Sequence, residues 1–112
     1  MNARTLADLS APLTALLALE AKFQHLPAPS LEVSTIFPDR LELSFHCDDF
    51  AAFETWREAL NMTPADVEHR VQGDGGTAVR RVHSSFAGAR IRLVGFAPIP
   101  ELEPVAAGLG AS

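Results

Sequence analysis

His46, Cys47, Asp48 and Asp49 stand side by side in the stretch "SFHCDDFAAFETWREAL". An imidazole, a thiol and two carboxylates are groups that bind zinc or move protons, so the run is either a reactive site or the place where a strand hands over to a helix. A tetrahedral metal site needs about four converging ligands, and neighbours on a strand diverge. In "RLELSFHC" the residues Leu41, Leu43, Phe45 and Cys47 share one face, while Glu42, Ser44 and His46 share the other. This alternation predicts Cys47 as a small buried hydrophobe and His46 facing solvent, which separates the local nucleophile from the local base. A cysteine–histidine pair would then need His69 or His83 to approach through the sheet. Asp48 is predicted as the N-cap of the following helix, with Asp49 placing charge against its positive end. No catalytic residue, metal ligand or cofactor site is expected from this run.

The arginines are the second candidate. Between His69 and Phe96 there are five of them, Arg70, Arg80, Arg81, Arg90 and Arg92, against one acid, Asp74, so this segment is +4 in a chain of net charge −5. If Ile91 and Leu93 face the core, Arg90 and Arg92 project from the opposite side of their strand, and the preceding strand adds either Arg80 or Arg81. Val94 and Phe96 follow with the same parity, and an apolar end on a polar face marks a contact surface. Arg81, Arg90, Arg92, Val94 and Phe96 are therefore the expected interface residues. Guanidiniums beside Glu42 and His46 suit an acidic protein or a phosphate. Nucleic acid is disfavoured as a partner, because the aromatics lie at core-like positions and no recognition helix accompanies the charges. "GDGGT" lacks the following helix and lysine of a phosphate loop and reads as a turn.

These residues need elements to hold them. Thr5 with Asp8 has capping-box spacing, and Ser10 is predicted as the N-cap of an amphipathic helix over 11–25, with Pro12 in its first turn and Leu13, Leu16, Leu17 and Phe23 at helical spacing. "HLPAPS" stops it. Alternating residues on either side of "PDR" predict a hairpin with strands near 31–37 and 40–47. Phe53, Trp56 and Leu60 then line one side of a second helix, and Thr63–Asp66 closes it. "DVEHRVQ", "TAVRRVHSSF" and "RIRLVGF", separated by glycine-bearing tips, read as a meander. The expectation is an α+β domain of order α-β-β-α-β-β-β over residues 1–98. Its five-stranded, mostly antiparallel sheet has the order 1-2-5-4-3, with both helices on one face. Residues 99–112, rich in proline and glycine, are expected to form a flexible tail.

Composition narrows the class of protein. With 112 residues, 47% hydrophobic and 21% charged, the chain has the balance of a globular domain able to bury a core. One cysteine fits a reducing compartment. Asp8 and Glu20 break the apolar run "APLTALLALEAKF" as a signal-peptide core, and no stretch nears the ~20 apolar residues of a membrane span. A cytoplasmic location without membrane contact is expected.

"LELSFHCDDFAAFETWREALNM" followed by three strands resembles one βαβββ module of the glyoxalase and dioxygenase superfamily, the vicinal oxygen chelate fold, over residues 40–97. Asp48 or Asp49 matches its acid, Phe53 or Trp56 its helix aromatic, and Leu60-Asn61 its "LG". The resemblance implies a scaffold that occurs in pairs, and hence a homodimer. Glu42 stands at the first metal position of such enzymes, but "ARIRLVGFAP" holds no carboxylate for the last. The chain as a whole also looks like small actinobacterial proteins. Three functions follow as expectations, of which a nucleic-acid-binding regulator is a distant third. The first is a non-enzymatic interaction protein that contacts itself as a homodimer, or another protein, through the arginine face. The alternative is a small-molecule-binding or lyase-like enzyme on a paired scaffold, with Glu42, His46 and His83 lining a cleft.

Overall fold

A computed structural model describes residues 4–73 and 75–99. The tail expectation for 99–112 lies, beyond Ile99, outside the described residues. The chain opens with a short 3-10 turn, Leu6–Leu9, in which the Thr5 N–H donates to Asp8 Oδ2 at 2.9 Å, as the capping-box spacing predicts. Helix α1 (Ser10–Lys22) follows at once. Ser10 lies inside it rather than capping it, and its hydroxyl donates to the Ala7 carbonyl at 2.8 Å.

The buried stripe of α1 is Pro12, Ala15 and Leu19, while Leu17 is 71% exposed. This corrects the predicted face. The helix is apolar nearly all round, so spacing alone does not single out a side. The side that packs is the one where Ala15 lets the backbone approach the sheet.

Strand β1 (Ser30–Val33) pairs antiparallel with β2 (Arg40–His46). β1 is shorter than expected because Ser34 Oγ takes the Ile36 N–H at 3.0 Å and diverts the chain. The turn at Pro38-Asp39 is as predicted, with the Arg40 N–H donating to the Phe37 carbonyl at 3.0 Å. Helix α2 (Ala51–Ala59) comes next. Its start is held by Asp49, whose Oδ1 accepts from the Ala51 N–H at 3.0 Å, and not by Asp48. Its end is a Schellman motif: Asn61 adopts φ +60°, its N–H reaches the Glu58 carbonyl, and the Met62 N–H reaches that of Arg57.

Strands β3 (Glu68–Val71), β4 (Thr77–Phe86) and β5 (Ala89–Pro98) form the meander. The β4–β5 tip is Ala87-Gly88, both at positive φ, the two-residue turn whose twist matches the flanking strands. The sheet order is β1-β2-β5-β4-β3, antiparallel except for the parallel β2–β5 pair at its centre. One core fills the space between the sheet and both helices. It contains Ala15 and Leu19 of α1, Phe53 and Trp56 of α2, and Leu41, Leu43, Phe45, Val82, Ile91 and Leu93 of the sheet. Trp56 Nε1 donates to the Pro27 carbonyl at 2.7 Å and its ring meets Phe23 edge-on at 5.7 Å, joining the two helices. The opposite face of the sheet carries neither helix.

Candidate functional site

Strand parity and register decide what this open face displays. Leu41, Leu43 and Phe45 are buried beneath the helices, so Arg40, Glu42, Ser44 and His46 turn the other way. Register then assigns rows across the face. Glu32, Glu42, Arg92 and His83 make one. Ser44, Val94, Arg81 and Glu68 make the next, and His46, Phe96, Val79 and Arg70 the third. Arg40, Arg90 and Ser85 close one end.

The choice between Arg80 and Arg81 is thereby settled. Arg81 is on the open face, whereas Arg80 pairs with Gly95 on the helix side and its guanidinium lies 4.1 Å from the ring centre of Phe50. Arg90, Arg92 and Phe96 reach the open face as expected. Val94 does too, but it is only 2% exposed. Its neighbours in the row are Ser44 and Arg81, with Arg92 and Phe96 on either side along its own strand. Val94 therefore lies in the floor of the face.

The charges are partly paired. Arg81 places Nε and Nη2 on Glu68 Oε1 at 3.0 and 2.6 Å. The hydrogen bond and the charge of Arg81 hold the Glu68 carboxyl below its usual pKa. Arg92 Nε lies 3.5 Å from Glu42 Oε1, close enough for an ion pair, yet this buried nitrogen makes no hydrogen bond. The guanidiniums of Arg70 and Arg90 have no ion pair or hydrogen bond with the described residues. His83 sits among this charge. Partial desolvation first, then Arg92 and Arg81, push its pKa below the usual imidazole value.

Glu42, His46 and His83 share the face but do not converge. Arg92 stands between Glu42 and His83 in the row. His46 lies flat on Phe96, with ring centres 4.4 Å apart and planes within 4°. Among the described residues no group of three His, Cys, Asp or Glu side chains is placed to hold a metal.

Cys47 departs from its prediction, being exposed rather than buried. β2 ends at His46, and although the Cys47 N–H still reaches the Phe96 carbonyl at 3.2 Å, the chain is already bending toward α2. The strand's alternation does not extend to this residue. Cys47 and His46 rim a shallow hollow of about 280 Å³ with Thr77 and Pro98, and no hydrogen bond joins them.

A second depression, of about 330 Å³, lies on the open face. Arg70, Arg81 and Arg92 line it together with Gln72, Val79, Val94 and Phe96, and no acid is among its lining residues within the described part of the chain. Sequence alone counts Arg70 in the arginine set without giving it a face, and nothing in it points to Gln72 or Val79. Glu68 and Arg70 share parity in "EHRV", but only the β3–β4 register places Arg70 opposite Val79.

Comparison with protein-family models, with curated proteins and with solved structures finds no match to this chain, so the face is read from its own geometry.

Proposed function

We propose that the protein works by protein–protein contact and that its open sheet face receives an acidic segment of a partner. The observation that carries this is a surplus of guanidinium on an uncovered sheet. Arg40, Arg70, Arg81, Arg90 and Arg92 share the face with Glu32, Glu42 and Glu68, in a chain whose net charge is −5. A surface of one sign on a molecule of the other favours partners that complement the patch, and it speeds their encounter. No helix of the described residues is long and apolar enough to cross a membrane, which fits a protein that meets its partner in solution.

The homodimer implied by the glyoxalase-type resemblance is the less favoured occupant of this face. An isologous pairing sets the same patch against itself, and here that brings guanidiniums toward guanidiniums. Like charges across an interface oppose association.

Calorimetric titration with a short peptide of alternating Glu and Leu, and with its Lys and Leu counterpart, tests the reading. The acidic peptide is expected to bind with an affinity that falls as salt rises, and Arg90→Glu is expected to abolish binding with an unchanged melting temperature. Equal binding of both peptides, or none at low salt, overturns the proposal. Sedimentation of the free protein reads the homodimer directly.

A further inference from the structure

We propose that the depression bounded by Arg70, Arg81 and Arg92 is a binding site for a compact phosphate monoester with an apolar body. The guanidiniums come from three neighbouring strands, β3, β4 and β5, and surround a floor made by Val79, Val94 and Phe96, with Gln72 at the side. The volume of about 330 Å³ is at the lower end for small-ligand sites, which run from roughly 300 to 1,000 Å³. It admits a single aromatic or branched aliphatic group.

The unused donors define the anion. A planar carboxylate is satisfied by one guanidinium fork. Glu68 already takes such a place on Nε and Nη2 of Arg81, while Glu42 sits near Nε of Arg92 without a hydrogen bond. Every guanidinium N–H of Arg70, the terminal nitrogens of Arg92 and Nη1 of Arg81 remain without a partner among the described residues. These donors stand around the perimeter of a concavity. A tetrahedral phosphoryl group, with three acceptor oxygens pointing apart, meets donors on several sides at once. The hydrocarbon floor distinguishes the site from a bare anion trap, because it takes up the apolar part of the ligand and removes that area from water.

The site shares its face with the proposed protein contact and deepens that reading by naming a ligand chemistry. It can nevertheless fail or survive alone, since Arg40 and Arg90 are on the face and outside the depression. Retained phosphate-ester binding with lost acidic-peptide binding counts against the protein contact only.

The test is calorimetric and NMR titration of the full chain with phenyl phosphate, inorganic phosphate and benzoate. Phenyl phosphate is expected to bind at least about tenfold more tightly than either comparison ligand. Arg70→Gln is expected to weaken it by about tenfold, the loss of one charge-assisted contact. Arg92→Gln is expected to do the same, and Arg90→Gln to leave it unchanged. Arg70 is exposed on an edge strand, so its variant keeps the test valid if the Arg92 variant fails to fold. Absence of saturable binding, benzoate as tight as phenyl phosphate, inorganic phosphate as tight as the ester, or equal losses in the Arg70 and Arg90 variants each overturns the proposal.

Discussion

Arg57, buried at the end of α2, donates from Nη1 to the backbone carbonyl of Met62 at 2.6 Å. Its Nε donates to Glu54 Oε1 at 2.9 Å, so one side chain ties the last turn of the helix to the loop that leaves it. The carbonyl it satisfies follows the left-handed residue Asn61, where the chain reverses away from the helix axis.

Replacing Arg57 by Ala leaves that carbonyl and the Glu54 carboxylate without their donor, and also removes the packed stem. The expected loss is about 2–3 kcal/mol, the cost of stranding buried polar groups. Glu54→Gln, at a half-buried position, is expected to cost less. Urea unfolding of both variants checks the order. An Arg57→Ala protein as stable as the parent would remove this residue from the account of the fold.

Gly95 allows α2 to lie close to the sheet. A methyl group at that position would stand 3.0 Å from Phe50 Cδ1 and 3.1 Å from both Cβ and Cδ2 of Phe53. Phe53 is 1% exposed, with little room to retreat. Gly95→Ala is expected to destabilise by about 1–3 kcal/mol through overpacking, read as a lowered denaturation midpoint with an unchanged denaturant slope.

The tip of the β4–β5 hairpin offers a gain. Ala87 has φ +52° and Gly88 φ +85°, and a side chain with a Cβ resists the left-handed region by roughly 1–2 kcal/mol. Ala87→Asn creates the Asn-Gly sequence preferred in such turns. It is expected to raise the melting temperature, with stabilisation of about 0.5–1 kcal/mol. A fall in melting temperature would contradict the turn geometry.

His83 gives the fold a pH dependence with a fixed sign. The groups facing it are Arg81 on its own strand, Arg90 and Arg92 on β5 and Glu68 on β3, and its pKa in the fold is depressed from the unfolded value near 6.5. Below that value the unfolded chain takes up the proton more readily than the folded one. The contribution to stability is therefore complete above pH ~6.5 and is lost as pH falls through the folded value. His83→Gln is expected to flatten the stability profile in this window. NMR titration of the imidazole reads the shift directly, and an unshifted value would refute the assignment.

The sheet order was legible in the sequence because its signals were local and consistent. Residues 41–45 alternate, "PDR" turns, Phe53 and Trp56 fall on one side of α2, and each glycine-bearing tip separates two strands. α1 was half legible, since its existence follows from apolar spacing but its inner face depends on Ala15 meeting the sheet. Alternation buries Cys47 only if it runs one residue past the end of β2 at His46, and sequence does not separate Asp48 from Asp49 because either aspartate can cap. The arginine depression was only partly legible. Parity gives Arg90 and Arg92 their face, but the convergence of Arg70, Arg81 and Arg92 needs the register of the β3–β4 hairpin, which is set by tertiary pairing across the loop between Gln72 and Thr77.

The central position of β5 has a consequence for biosynthesis. The strand that β2 and β4 both require as a neighbour is the last of the five to leave the ribosome, so the nascent polypeptide carries its earlier strands without their shared partner until residues 89–98 emerge. The sheet cannot close over its core before then, so Phe45 and Trp56, which pack in that core, lack their full cover until β5 arrives.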